Sequence, residues 1–219
     1  MEDLYGNSHR DLQEQFDSKR LADKLEKMIV KDKFDEDAIN FIQSRDMFFL
    51  STIDHKNRPT VSYKGGDPGF VKIVNNNTLV FPSYDGNGMF MSMGNIRHNN
   101  KIGMLFISFE KPHRLRVHGE ATISNNDPLM KSYKEADLIV RVKLESYWQN
   151  CPRYIHKYKK VDESKYVPRS KNKTPIAGWK KTDAVQDVLP KKDKKKISKE
   201  EVIGIEEWME KVKSGDPNA

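Results

Sequence analysis

The residues of this chain best suited to do chemistry lie between positions 85 and 95. Asp85-Gly86-Asn87-Gly88 stands just after an apolar run ending Phe81-Pro82 and just before Met89-Phe90-Met91-Ser92-Met93-Gly94-Asn95. Glycines that bare backbone N–H groups ahead of a helix make an anion site, because those donors and the positive end of the helix dipole converge on one point. Phosphate is the natural guest. Lys64 would add a cation, and Ser92, in the first helical turn, a hydroxyl. Taken alone, the four-residue block is explained more simply as an ordinary Asn-Gly turn.

A second candidate block is Asn150-Cys151-Pro152-Arg153-Tyr154. Arg153 could hold an anionic substrate and Tyr154 could cover a flat ring. The plainer reading is a capped turn with a packed tyrosine and an inert thiol. Trp179 could close over a cleft, although a lone Trp in a loop is more often an anchor. The six histidines show no metal-ligand spacing, so no metal is expected. Cys151 is the only cysteine, which excludes an intrachain disulfide and any Cys-rich zinc module, and fits a reducing compartment.

These residues need elements to position them. The 219 residues are 36% hydrophobic and 32% charged, enough for one sizeable core with tails. Residues 1–150 carry 21 Lys/Arg against 21 Asp/Glu, and residues 151–219 carry 18 against 11, so the net charge of +7 is all C-terminal. The body is electrically balanced, and aromatic residues are missing from the 191–196 lysine run, which argues against nucleic acid as a partner. The N-terminus has no apolar leader and no stretch of about 18 apolar residues occurs. A cytoplasmic protein without a membrane partner is expected.

Residues 9–30 place Leu12, Phe16, Leu21, Leu25, Met28 and Ile29 at helical spacing, which predicts one amphipathic surface helix within an N-terminal segment 1–34. A shorter helix over 35–45 can be capped by Asp35. Short β-favouring runs then follow at 47–53, 60–64, 70–74, 78–81, 102–109, 114–124 and 138–148, read as about six strands. Residues 85–96 read as a loop entering a short helix, and 127–135 as another with Asp127 as cap. Short strands joined by turns, with helices at the ends, indicate an antiparallel sheet or barrel and not a βαβ fold. Residues 191–196 read as a solvated linker before a last helix, about 198–212, carrying Val202, Ile205, Trp208, Met209 and Val212.

Several of these blocks, in their order and spacing, resemble the pyridoxamine 5'-phosphate oxidase-like, FMN-binding split-barrel family. They are Met47-Phe48-Phe49-Leu50-Ser51-Thr52, Ser62-Tyr63-Lys64-Gly65-Gly66-Asp67-Pro68-Gly69-Phe70, Asp85-Gly86-Asn87-Gly88-Met89-Phe90, Ser92-Met93-Gly94-Asn95-Ile96, Gly103-Met104-Leu105-Phe106-Ile107, Arg114-Leu115-Arg116-Val117-His118-Gly119 and Asn150-Cys151-Pro152-Arg153-Tyr154-Ile155-His156. The likeness covers about residues 36–158 and is strongest to an uncharacterised flavin-nucleotide-binding branch.

The resemblance implies a mainly β protein with flanking helices: a six-stranded antiparallel Greek-key split β-barrel over 35–158, followed by a basic C-terminal extension, 159–219. It implies a homodimer with one FMN in each of two clefts at the subunit interface. Ser62, Tyr63 and Lys64 would line the flavin, and Phe81, Pro82 and Ser83 would run past the ring edge. Asn87, Gly88, Met89, Met91, Ser92 and Asn95 would surround the ribityl-phosphate, and the block carrying Arg153 and Tyr154 would lie near the flavin cleft, where they are candidate substrate contacts with Trp179 as a lid. The family's oxidase has an adjacent Arg-Lys pair for the phosphate where this chain has Met91 and Ser92. Phosphate charge then falls to Lys64, to backbone amides, or to Arg97, Arg114 or Arg116 of the partner subunit.

The expected function is FMN-dependent hydride transfer with a small organic substrate, a nicotinamide nucleotide being the candidate donor. Alternatives are a non-catalytic flavin- or haem-binding carrier or sensor, and a cofactor-free interaction module.

Overall fold

The computed structural model describes residues 4–198 and 200–216. The chain divides into two compact units, Met1–Val161 and Asp162–Ala219. In the first, seven antiparallel strands form one sheet: β1 Met47–Ile53, β2 Pro59–Gly65, β3 Lys72–Asn75, β4 Thr78–Tyr84, β5 Lys101–Ser108, β6 His113–Ser124 and β7 Ala136–Asn150. Their order is β2-β1-β5-β6-β7-β4-β3. The strands number seven against the expected count of about six: each of the seven β-favouring runs forms a strand, the 70–74 run as the four-residue β3 paired with β4. The sheet is open: β2 and β3 are its edges, and no ladder joins them among the described residues.

The open sheet nevertheless curls onto one core. Phe48 of β1 packs edge-on against Phe81 of β4 at 5.0 Å, although three strands separate them in the ladder. Phe48 also meets Phe106 at 5.1 Å and Phe70 at 5.8 Å, and is fully buried. The period-two pattern of β6 does what it promised: Leu115, Val117 and Ala121 face the core, while Arg116, His118, Glu120 and Thr122 face away. Between His118 and Gly119 the β6–β7 register shifts. A Cβ on Gly119 would lie 2.4 Å from the Lys143 carbonyl oxygen, so the bulge requires glycine.

Helix α3, Glu36–Gln43, starts where Asp35 accepts the Ala38 N–H at 2.9 Å, and it buries Ala38 and Ile42 in the core. The single helix expected over 9–30 is two: α1 Asn7–Gln15 and α2 Lys19–Ile29. Asp17 takes a left-handed φ of 49°, and the Ser18 N–H turns back to the Gln13 carbonyl at 2.8 Å, which ends α1. Neither helix has a buried residue. Helix α4, Met91–His98, follows the Gly/Asn loop as expected and sends Met93 and Ile96 into the core. Asp127 caps a 3-10 turn, Pro128–Ser132, by accepting the Leu129 N–H at 2.8 Å.

In the second unit, the lysine run is not a linker but a helix, α5 Lys191–Ile197. Leu189, Asp193 and Ile197 recur at every fourth residue and are buried, which gives the segment an inner face that lysine counting alone conceals. Lys180 and Asp193, each 6% exposed, form a salt bridge at 3.0 Å. The last helix, α6 Ile205–Ser214, starts later than expected, because Asp183 accepts the Ile205 N–H at 3.0 Å and fixes its first turn.

Candidate functional site

Strand β2 alternates. Thr60, Ser62 and Lys64 turn inward and are half-buried, while Val61 and Tyr63 point outward, 69% and 62% exposed. The inward hydroxyls meet α4. Ser62 Oγ and Ser92 Oγ share a hydrogen bond of 3.0 Å, and Lys64 Nζ donates to Ser92 Oγ at 3.4 Å. Burial pulls the Lys64 pKa below the ordinary lysine value.

The start of α4 is built by left-handed backbone. Gly88 has φ 76° and Phe90, the residue before the helix, φ 50°; both values are left-handed. The first-turn N–H groups of α4 have no acceptor within the helix, and the Ser92 side chain in that turn meets the β2 side chains. Two hydroxyls, one ammonium and a helix start therefore converge at the junction of β2 and α4. The donor set suits an anion with several oxygens.

The other expected ligands take different places. Asn95 lies one layer deeper, 7% exposed, and donates through Nδ2 to Thr52 Oγ1 at 3.0 Å and Thr60 Oγ1 at 3.2 Å. Thr52 and Thr60 share a further bond of 2.8 Å, so this triad braces the cradle from behind. Asn87 spends its carbonyl on the Met89 N–H at 3.0 Å, an Asx turn within the loop. Met89 and Met91 are 64% and 50% exposed beside it.

Tyr63 is on the opposite face of β2 from Lys64 and meets Phe49 edge-on at 6.2 Å. Phe81 and Pro82 are buried, Phe81 in the core, and Ser83 is half-buried. Past β7, the Arg153 guanidinium lies over the Tyr154 ring at 5.4 Å, with Tyr154 86% exposed. Trp179 is half-buried in the C-terminal unit.

Sequence reading missed Thr52 and Thr60, although the polar alternation Thr60-x-Ser62-x-Lys64 against Val61 and Tyr63 was there to find. It also missed a cavity of about 520 Å³ on the outer sheet face, with Phe49, Val61 and Leu105 beside Arg116, His118 and Glu145. His118 packs edge-on to Trp148 at 4.9 Å. Burial, and then the charge of Arg116, hold its pKa below the usual histidine value. Among the described residues no three His, Cys, Asp or Glu side chains converge on one point. No helix among them is long and apolar enough to cross a membrane.

A curled antiparallel sheet flanked by helices, with hydroxyls and an ammonium gathered where an edge strand meets a helix, is the frame of the first unit. Residues 34–158, more than half of the chain, match the family described as pyridoxamine 5'-phosphate oxidase, and the protein belongs to that family. No curated protein matches it. Among solved structures it is similar to HupZ of Group A Streptococcus (15% identity, TM-score 0.44, covering 57% of this chain and 99% of that one). It is also similar to an FMN-binding protein from Syntrophomonas wolfei subsp. wolfei (11%, 0.41, 64% and 97%). A third is HutZ, the haem storage protein from Vibrio cholerae (16%, 0.39, 50% and 90%).

Proposed function

We propose that the protein binds FMN and acts as a cytoplasmic oxidoreductase on a small organic molecule, as a homodimer with a flavin at each of two subunit clefts. The observation that carries this reading is the convergence of Lys64, Ser62, Ser92 and the α4 start on one point. A phosphate ester matches that donor set in charge and in number of acceptors, and would give the half-buried Lys64 ammonium the anion it otherwise lacks in the cradle. FMN, when bound, supplies a ring that accepts or gives a hydride. The chain's own work is to neutralise and orient the phosphate through Lys64, Ser62 and Ser92. Gly88 and Asn87 hold the loop that lets the α4 amides face it.

Arg153 and Tyr154 are the proposed substrate contacts, since an exposed guanidinium stacked on an exposed phenol suits an anionic aromatic molecule. A reduced nicotinamide nucleotide is the proposed donor. The open face carrying Val61 and Tyr63 is the surface a second copy would cover.

The absorption spectrum of the purified full-length protein, with light scattering before and after added FMN, tests the reading. Flavin bands and a dimer support it. A colourless protein that takes up no FMN overturns it in favour of a cofactor-free interaction module. A second reading, a haem carrier without turnover, rests on His118: a half-buried imidazole kept neutral, between Arg116 and an apolar floor, is a fit ligand for a haem iron. A haem band in that same spectrum, lost in His118→Ala, would favour it.

A further inference from the structure

The C-terminal unit has a surface that the flavin reading does not use. Helix α5 keeps Asp193 and Ile197 inside, so Lys191, Lys192, Lys194, Lys195 and Lys196 are all exposed. The only acid of the run, Asp193, is turned inward onto Lys180. What would have been a solvated linker is instead a folded cationic ridge.

Helix α6 packs, like α5, against the 3-10 turn Gly178–Lys181. Its ends are fixed without its apolar side chains. Asp183 holds the first turn, and Gly215, at φ 73°, closes the last with its N–H on the Val212 carbonyl at 3.1 Å. At about 100° per residue, Trp208, Val212, Ile205 and Met209 fall on one arc of about 100°. Ile205, Met209 and Val212 are 36%, 47% and 49% exposed, while Trp208 is half-buried, its indole N–H covered and without a hydrogen-bond partner among the described residues. Lys211, paired with Glu207, and Lys213 flank this stripe on either side, and Glu206, Glu207 and Glu210 fill the arc between them.

We infer that α5 and α6 form a docking surface for an anionic lipid bilayer. A stripe bordered by lysines, with acids on the far side, is the arrangement of a helix lying in the plane of an interface: the stripe enters the headgroup boundary and the lysine stems reach back to the phosphates. Ten residues of such a helix bind weakly, and the ridge of five lysines in the same unit is the second signal that makes the contact stable. The lysines alone would suit a nucleic acid and the stripe alone a protein groove. A bilayer with negative headgroups uses both. The contact is peripheral and needs no spanning helix.

The test is co-sedimentation of the full-length protein with vesicles of phosphatidylcholine alone and of equimolar phosphatidylcholine and phosphatidylglycerol. Binding to the mixed vesicles only, weakened at high salt, is expected. Changing the five α5 lysines to Gln lowers partition about a thousandfold or more, at roughly fivefold for each charge. Met209→Ser with Val212→Ser lowers it about tenfold. Tryptophan emission shifts to the blue on the mixed vesicles in wild type and not in Trp208→Phe. Equal binding to both vesicle types, or to neither, overturns the inference without any variant. Unchanged vesicle binding by the Met209/Val212 variant, with equal retention on RNA at the same salt, overturns it in favour of a nucleic-acid surface.

Discussion

Ser62 and Ser92, thirty residues apart in sequence, share a 3.0 Å hydrogen bond that joins the edge strand β2 to the first turn of α4. An edge strand has no second neighbour to hold it, so this bond and the Lys64 contact set the width of the cradle. The same two serines that would meet a phosphate thus also fix the distance between the parts that bind it.

If Lys64 carries the phosphate charge, Lys64→Met removes one charge-assisted contact. FMN affinity should fall about ten- to a hundredfold, while riboflavin, which has no phosphate, should bind weakly to both proteins alike. Fluorescence titration measures both ligands. Equal FMN affinity in variant and wild type would place the phosphate elsewhere.

Asn95 gives a contrasting outcome. Its amide is committed to Thr52 and Thr60 and is almost wholly buried, so Asn95→Ala leaves two covered hydroxyls short of a donor. The expected loss is about 1–3 kcal/mol of folding stability, from the desolvation of groups left unpaired. Urea unfolding checks it. A variant as stable as wild type, with FMN binding abolished, would make Asn95 a direct ligand instead.

What could be read ahead of the structure was local. The Asp35 cap, the strand at Met47–Ile53 and the Gly/Asn loop before α4 follow from neighbouring residues and stand where they were expected. The convergence of Lys64 and Ser92 was also legible, because strand end and helix start are each marked in sequence. Phe81 was not: it reads as a strand residue that could face either way, and only the curl of the sheet onto Phe48 commits it to the core. Asp193 was hidden for a similar reason. Its partner Lys180 is thirteen residues away, and nothing in a run of lysines says which residue points in. The break between α1 and α2 rests on one left-handed residue, Asp17, whose neighbours keep a helical apolar spacing across it.

Acid should destabilise the protein in two stages. His113 stacks on Phe41 at 4.1 Å, with the Arg45 guanidinium 4.9 Å from the same ring, and burial followed by the Arg45 charge lowers its pKa. His118 is shifted the same way. An unfolded histidine takes up a proton near pH 6.5, before the folded one does, so stability is whole above about pH 7 and falls as pH drops through that value until the folded histidines also protonate. Asp54, held at about 2 by its bonds to Arg58, acts lower. Its contribution is present above the unfolded carboxylate value of about 3.9 and is lost as pH falls toward about 2. Unfolding midpoints measured from about pH 8 down to about pH 5 should decline in wild type and less steeply in His113→Gln. A flat profile over that range would contradict the first stage.

The buried pair in the C-terminal unit gives the last prediction. Lys180 and Asp193 meet at 3.0 Å with both side chains 6% exposed, so removing one leaves the other charged and covered. Asp193→Ala should cost that unit about 3–5 kcal/mol, whereas Lys180→Met with Asp193→Leu, which replaces both charges by apolar groups, should recover most of the loss. Trypsin reads the difference directly, since α5 is all lysine on its outer face and is protected only by being helical. In wild type the first cuts should fall at Lys171 and Lys173, exposed and outside helix and strand, with α5 cut later. In Asp193→Ala, α5 should be cut as early as Lys171, and in the double variant protection should return. Early cleavage within 191–196 in the wild-type protein would mean that the lysine run is a mobile linker and that the Lys180–Asp193 pair does not hold α5 in place.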